Sequence, residues 1–173
     1  MFRAYTRISL IFISLVIGGL MQAQEGIAQA WYLYLAGALL FLSHLLFGNI
    51  WQAFAAMRSG NLSLADRIVG LVISPSLLLP RPRAYYFFVR GILALKSDQL
   101  QQGDELLQRA LQGPLQKTRD YALALLNRAH IAYLQRDWKQ CAQLKREAEA
   151  QNANDLLIKE HLKKLEQALA ENS

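Results

Sequence analysis

The pattern of apolar and polar positions changes its rhythm near residue 50. Before that point the apolar positions run together. Ile8 to Met21 (ISLIFISLVIGGLM) holds only apolar or small side chains, and in Ala30 to Ile50 (AWYLYLAGALLFLSHLLFGNI) His44 is the sole ionisable group. A helix crosses a bilayer core with about 20 apolar residues, so the second run predicts a span over about 30–49. The first run is shorter but bordered by Arg3 and Arg7, whose long side chains can reach back to the interface. It predicts another span over about 7–24. Trp31, Tyr32 and Tyr34 open the second run, where an aromatic belt belongs. The link QAQEGIAQ is brief, so residues 1–50 are expected to form a transmembrane helical hairpin. A cleaved signal peptide over residues 1–24 is the competing reading. Ala23 would then precede the cut, with Met21 an ill-suited residue two places earlier.

From residue 51 the apolar positions are spaced as on two-faced helices, and the pattern recurs. Ala65, Gly103 and Cys141 lie 38 apart and are all small. The same interval relates Ala53, Gly91 and Ala129, and then Ala56, Ala94 and Ala132. Larger apolar positions follow it too: Ile68, Leu106 and Leu144; Leu62, Leu100 and Trp138. Val72, Ala110 and Ala148 complete the set. Small residues on two consecutive helices let those helices approach closely, while large ones fill the seam to the next pair. Each unit therefore predicts helix, short polar turn (RSGNLS, KSDQLQ, QRDWKQ), helix.

This pattern resembles the tetratricopeptide repeat family. Gly91, Leu100, Gly103 and Ala110 match that family's small and bulky positions in the middle unit, with Pro114 near its end. Ala129, Trp138, Cys141 and Ala148 match in the last unit, and Ala53, Leu62, Ala65 and Val72 in the first. The likeness covers roughly residues 46–155. Two departures stand out. The family unit has about 34 residues against 38 here, and Arg90 and Arg128 stand where the family usually has leucine. A plain antiparallel helical bundle is the alternative. The chain's last segment places Ile158, Leu162, Leu165 and Leu169 on one helical stripe. It predicts a capping helix over 155–170 that closes the stack. The expected fold is thus all-α, with a repeat domain over 51–173.

Charge sharpens the division. The first 80 residues carry four basic side chains (Arg3, Arg7, Arg58, Arg67) and two acidic ones (Glu25, Asp66), out of 19 and 13 in the whole chain of 173. A single soluble globule, a disordered tail and a disulfide scaffold are excluded. The net charge of +6 does not point to nucleic acid, because Lys and Arg beyond residue 80 interleave with Asp and Glu. Arg81 and Arg83 follow the apolar stretch Ile68 to Leu79, so they are expected at the membrane interface beside anionic headgroups. By the flanking-charge rule, both termini and the repeat domain are expected on the cytoplasmic side. Cys141 is the sole cysteine, which excludes an internal disulfide and a cysteine zinc site.

No metal-binding, phosphate-loop or nucleophile motif occurs, so neither a catalytic site nor a cofactor is expected. His44 reads as a packed histidine; the functional alternatives are a haem ligand across a dimer and a contact to a partner's span. Grooves of the tetratricopeptide family bind a peptide or helix along the inner faces of the first helices. The resemblance places Phe88, Ile92 and Lys96 there from one unit, and Leu126, Asn127, His130 and Leu134 from the next. These are mostly apolar, which implies an apolar segment of a protein partner as guest. The competing occupants are the membrane-proximal segment and the capping helix. The function expected is a membrane-anchored binding or scaffolding module. The alternative is a structural subunit or assembly factor of a membrane complex that meets its partners through the spans, where Gly18-Gly19 and Ala36-Gly37-Ala38 allow close packing. Self-association is left open.

Overall fold

The computed structural model describes residues 2–47, 49–115, 117–151 and 155–170, and the side chains within 9–169. The side chains of Arg3 and Arg7, on which part of the topology expectation rests, lie outside that set. Among the described residues the chain is all-helical. Helices α1 (Phe2–Glu25) and α2 (Ile27–Phe47) precede α3 (Ile50–Arg58) and α4 (Leu62–Gly70). A 3-10 turn at Pro75–Leu77 leads into α5 (Pro80–Lys96) and α6 (Leu100–Leu111), followed by α7 (Thr118–Leu134), α8 (Trp138–Ala150) and α9 (Leu156–Ala170).

Helices α1 and α2 turn on Gly26 alone, whose φ of +88° is the left-handed region that glycine enters without steric cost. They run antiparallel: Gly37 faces Ser14, Gly18 faces Tyr34, and the Tyr34 hydroxyl donates to Gln22 Oε1 at 2.6 Å. A side chain at Gly18 would begin 3.2 Å from the Tyr34 ring, so the glycine sets how closely the two helices approach. Helix α2, with a mean hydropathy of 1.6 over its best window, is long and apolar enough to cross a membrane. The apolar stretch Ser9–Glu25 of α1 is shorter than that. Only 11% of the α2 window is buried, which a core helix of a soluble domain would not tolerate.

The remaining helices form hairpins that stack. Helix α3 pairs with α4, α5 with α6 and α7 with α8, while α3, α5, α7 and α9 pack in succession. The 38-residue interval recurs in the element boundaries. Second helices begin at Leu62, Leu100 and Trp138, and first helices end at Arg58, Lys96 and Leu134. Helix α9 begins 38 residues after α7, so the capping helix takes the place of a further unit's first helix. The turns repeat as well. Gly60, Asp98 and Arg136 all have positive φ (80°, 59° and 61°). The next amide in each, Asn61, Gln99 and Asp137, donates 2.9 Å back to the carbonyl of Ala56, Ala94 or Ala132. That is the bond with which a left-handed residue closes a helix C-terminus.

The small positions are the buried ones. Ala53, Ala65, Ala129 and Cys141 are fully covered, and a methyl at Gly103 would lie 3.4 Å from the Gly91 carbonyl oxygen. A methyl at Gly91 would instead meet the Leu107 side chain at 2.7 Å. Leu107, more than Gly103, is what forbids a side chain there, and overpacking of this kind costs about 1–3 kcal/mol. Two apolar clusters result: one joins α3 to α6 and reaches Ile131, and the other joins α7, α8 and α9 through Leu126, Leu144, Ile158 and Leu165.

The two arginines that depart from the tetratricopeptide pattern are explained by their partners. Arg128 on α7 meets Asp104 on α6 through two bonds, Nε to Oδ1 at 2.7 Å and an Nη2 bond to Oδ2 at 3.0 Å. Arg90 on α5 meets Asp66 on α4 at 3.3 Å, one repeat earlier. Each pair ties a unit to the one before it. A third tie is buried: the Tyr85 hydroxyl on α5 donates to Asp120 Oδ2 on α7 at 2.6 Å.

Candidate functional site

A groove of about 440 Å³ opens between the C-terminal ends of α5 and α7 and the middle of α9. Its position follows from the stack: α5, α7 and α9 are neighbouring first helices, and their exposed edges face one concavity. Leu126 and Leu165 form apolar wall, with Leu134 at the rim. Lys96, His130, His161 and Lys164 supply the basic groups, and Asp98 is the acidic residue lining the groove.

Five of the seven groove residues expected from sequence come together here: Lys96, Leu126, Asn127, His130 and Leu134. Two do not. Phe88 is only 1% exposed and packs its ring 5.8 Å from that of Phe54. Ile92 is half-buried against the same cluster. One unit nearer the N-terminus, the face that carries Leu126 in α7 is covered by α3, so the groove does not continue along α5. Asn127 spends its amide on the Leu123 carbonyl at 2.7 Å, one turn back on its own helix. The capping helix, one of the competing occupants, does reach this face, but it lines the groove instead of filling it.

His161 and Lys164 were not anticipated. The signal for Lys164 was present: it stands 38 residues after Leu126, itself 38 after Phe88, and one more step of the same interval would have found it. Burial is the main cause that lowers the pKa of His130 below its ordinary 6.5, followed by His161 and then Lys96. Burial and these neighbours therefore favour the neutral imidazole of His130. Burial likewise pushes the Cys141 thiol up, away from the reactive thiolate.

The two interface residues separate. Arg81 is exposed. The Arg83 guanidinium donates to the carbonyls of Pro75 at 3.1 Å, Ser76 at 2.6 Å and Leu78 at 2.8 Å. His44 lines a small cavity at the end of α2, where its Nδ1 and the Asn49 amide nitrogen are buried without hydrogen-bond partners. The cavity's volume of about 10 Å³ is close to what one water molecule needs.

Compared with models of protein families, with curated proteins and with solved structures, the chain finds no match.

Proposed function

We propose that this chain is a membrane-anchored, non-catalytic helical-repeat protein of the tetratricopeptide type. Its α1–α2 hairpin spans the bilayer, and its groove binds a segment of a protein partner at the cytoplasmic surface. The observation that carries this reading is the groove, an apolar wall ringed by Lys96, His130, His161 and Lys164. Apolar anchors with a basic rim suit a guest that buries a few apolar side chains and presents carboxylates. The repeat reading is supported by the common 38-residue spacing of helix boundaries, left-handed turn residues and inter-unit ion pairs. The spanning hairpin is supported by the exposed apolar surface of both helices and by Gly18 and Gly37 at their contact. The basic residues after α2 favour the cytoplasmic side for the repeats.

The second reading, a subunit that meets its partners through the spans, draws on the outward faces of α1 and α2, where Gly19, Ala36 and Ala38 remain exposed. Photo-crosslinking side chains placed at Leu134 and at Leu39 in the full-length protein, in native membranes, separate the two. Discrete adducts from Leu134 that disappear with Lys96→Glu and Lys164→Glu support the groove. Adducts from Leu39 alone overturn it in favour of the spans.

A further inference from the structure

Residues 71–79, between α4 and α5, form a loop that breaks the usual rule for connections. From Ile68 to Pro80 there is no charged side chain. Leu71, Ile73, Leu77 and Leu79 are all exposed, Ile73 by 72%. Beyond Phe47 no other stretch of the described residues concentrates large apolar side chains on the surface in this way.

The loop's position says what covers it. The Leu79 amide donates to the Leu46 carbonyl in the last turn of α2 at 2.9 Å. Leu71, Ile73 and Leu77 share the walls of one small cavity with His44 and Leu45. Helix α2 has 21 residues, about 31 Å of helix, which barely matches a hydrocarbon core of about 30 Å. Its last turn therefore lies at the boundary of acyl chains and headgroups, and whatever flanks that turn lies at the same depth. The exposed leucines and Ile73 continue the apolar surface of α2 sideways.

Non-helical backbone is kept out of the hydrocarbon core unless protein or water meets its polar groups, so this backbone stays at the headgroup boundary, and many of its groups bond within the protein. Arg83 serves three of the carbonyls, the Leu77 amide bonds to the Ser74 carbonyl and the Leu78 amide to that of Pro75. Ser74 and Ser76 pair through their hydroxyls at 2.8 Å. The structure assigns to residues 71–79 a second membrane element: a shallow loop that inserts Ile73 and Leu77 among the upper acyl chains, with Arg83 as the residue that positions it. It fixes the repeat domain against the bilayer instead of leaving it on a free tether. This rests on the reading of α2 as a span.

The single cysteine, buried at position 141, makes the test direct. In a Cys141→Ala background, the full-length protein carries one new cysteine at a time: Ile73→Cys, Leu77→Cys, Leu39→Cys on the outer face of α2, or Lys139→Cys on α8. Each is labelled with the fluorophore NBD and reconstituted in phosphatidylcholine–phosphatidylglycerol nanodiscs. The expected result is blue-shifted emission at 73 and 77 relative to 139, quenched when the lipids carry bromine on their acyl chains. Emission at 73 and 77 like that at 139, with 39 quenched, overturns the loop and leaves the span intact. A blue shift without bromolipid quenching also overturns it, because protein then covers the loop. If 39 itself is not quenched, the spanning reading falls and the loop with it.

Discussion

Single positions in this chain are occupied by backbone demands as much as by packing. The turn of each hairpin needs one residue with positive φ, and the three units meet the need with Gly60, Asp98 and Arg136. Only the glycine adopts it freely; a side chain in this region costs about 1–2 kcal/mol. Arg136→Gly should therefore raise the stability of the detergent-solubilised protein by about 1 kcal/mol, read from thermal unfolding. Gly60→Ala should lower it, and equal melting of all three proteins would mean that the turns are not strained. His130 gives a second residue-scale expectation. Its pKa is lowered in the folded protein, so the unfolded chain takes up the proton more readily. The neutral imidazole's share of stability is full above the ordinary pKa and is lost as pH falls below it. Thermal stability should drop between pH 7 and pH 5, and His130→Gln should flatten part of that slope. A slope unchanged in the variant would remove His130 as its source. What a sequence reveals at this scale is uneven. The small residues at 91, 103 and 141 were legible because size and spacing are written in the residue names. The role of Arg83 was not, because three carbonyls come within reach of its guanidinium only after the loop has folded back.

Elements in the repeat region are held by apolar seams within and between hairpins and by charged ties between hairpins. Arg128 and Asp104 form the better tie, with side chains 13% and 25% exposed and two short bonds. Arg90 and Asp66 are 40% and 62% exposed with one longer bond, and exposed pairs contribute about 0–1 kcal/mol. A double-mutant cycle with Arg128→Ala and Asp104→Ala should give the larger coupling energy, more than about 1 kcal/mol. The same cycle at Arg90 and Asp66 should give less. Equal couplings would mean that burial does not set the strength of these ties. The expected spans of about 7–24 and 30–49 became helices at Phe2–Glu25 and Ile27–Phe47. The boundary moved because Gly26 turns the chain by itself and the rest of the polar link remains helical. The segment 155–170 forms a helix at Leu156–Ala170, with Ile158 and Leu165 of its apolar stripe buried.

At the scale of the whole molecule, the hairpin and the repeats meet at one end of α2, where the 71–79 loop is bonded to Leu46. A reporter fused after Ser173 should be active on the cytoplasmic side, and one inserted at Gly26 on the opposite side. The reverse pattern would refute the orientation drawn from Arg3, Arg7, Arg58, Arg67, Arg81 and Arg83. By itself the sequence determined the division into a greasy and a wet half, the all-helical class, the 38-residue interval and which small residues lie between paired helices. All of these depend on side chains near one another along the chain, where the period of a helix converts spacing into facing. Tertiary structure decided the rest. Phe88, Leu126 and Lys164 share one register in three successive units, yet the first is sealed in the core against Phe54 and the other two line the groove. The difference lies in which helix stacks on each, and stacking between units is a contact of distant segments that no local spacing encodes.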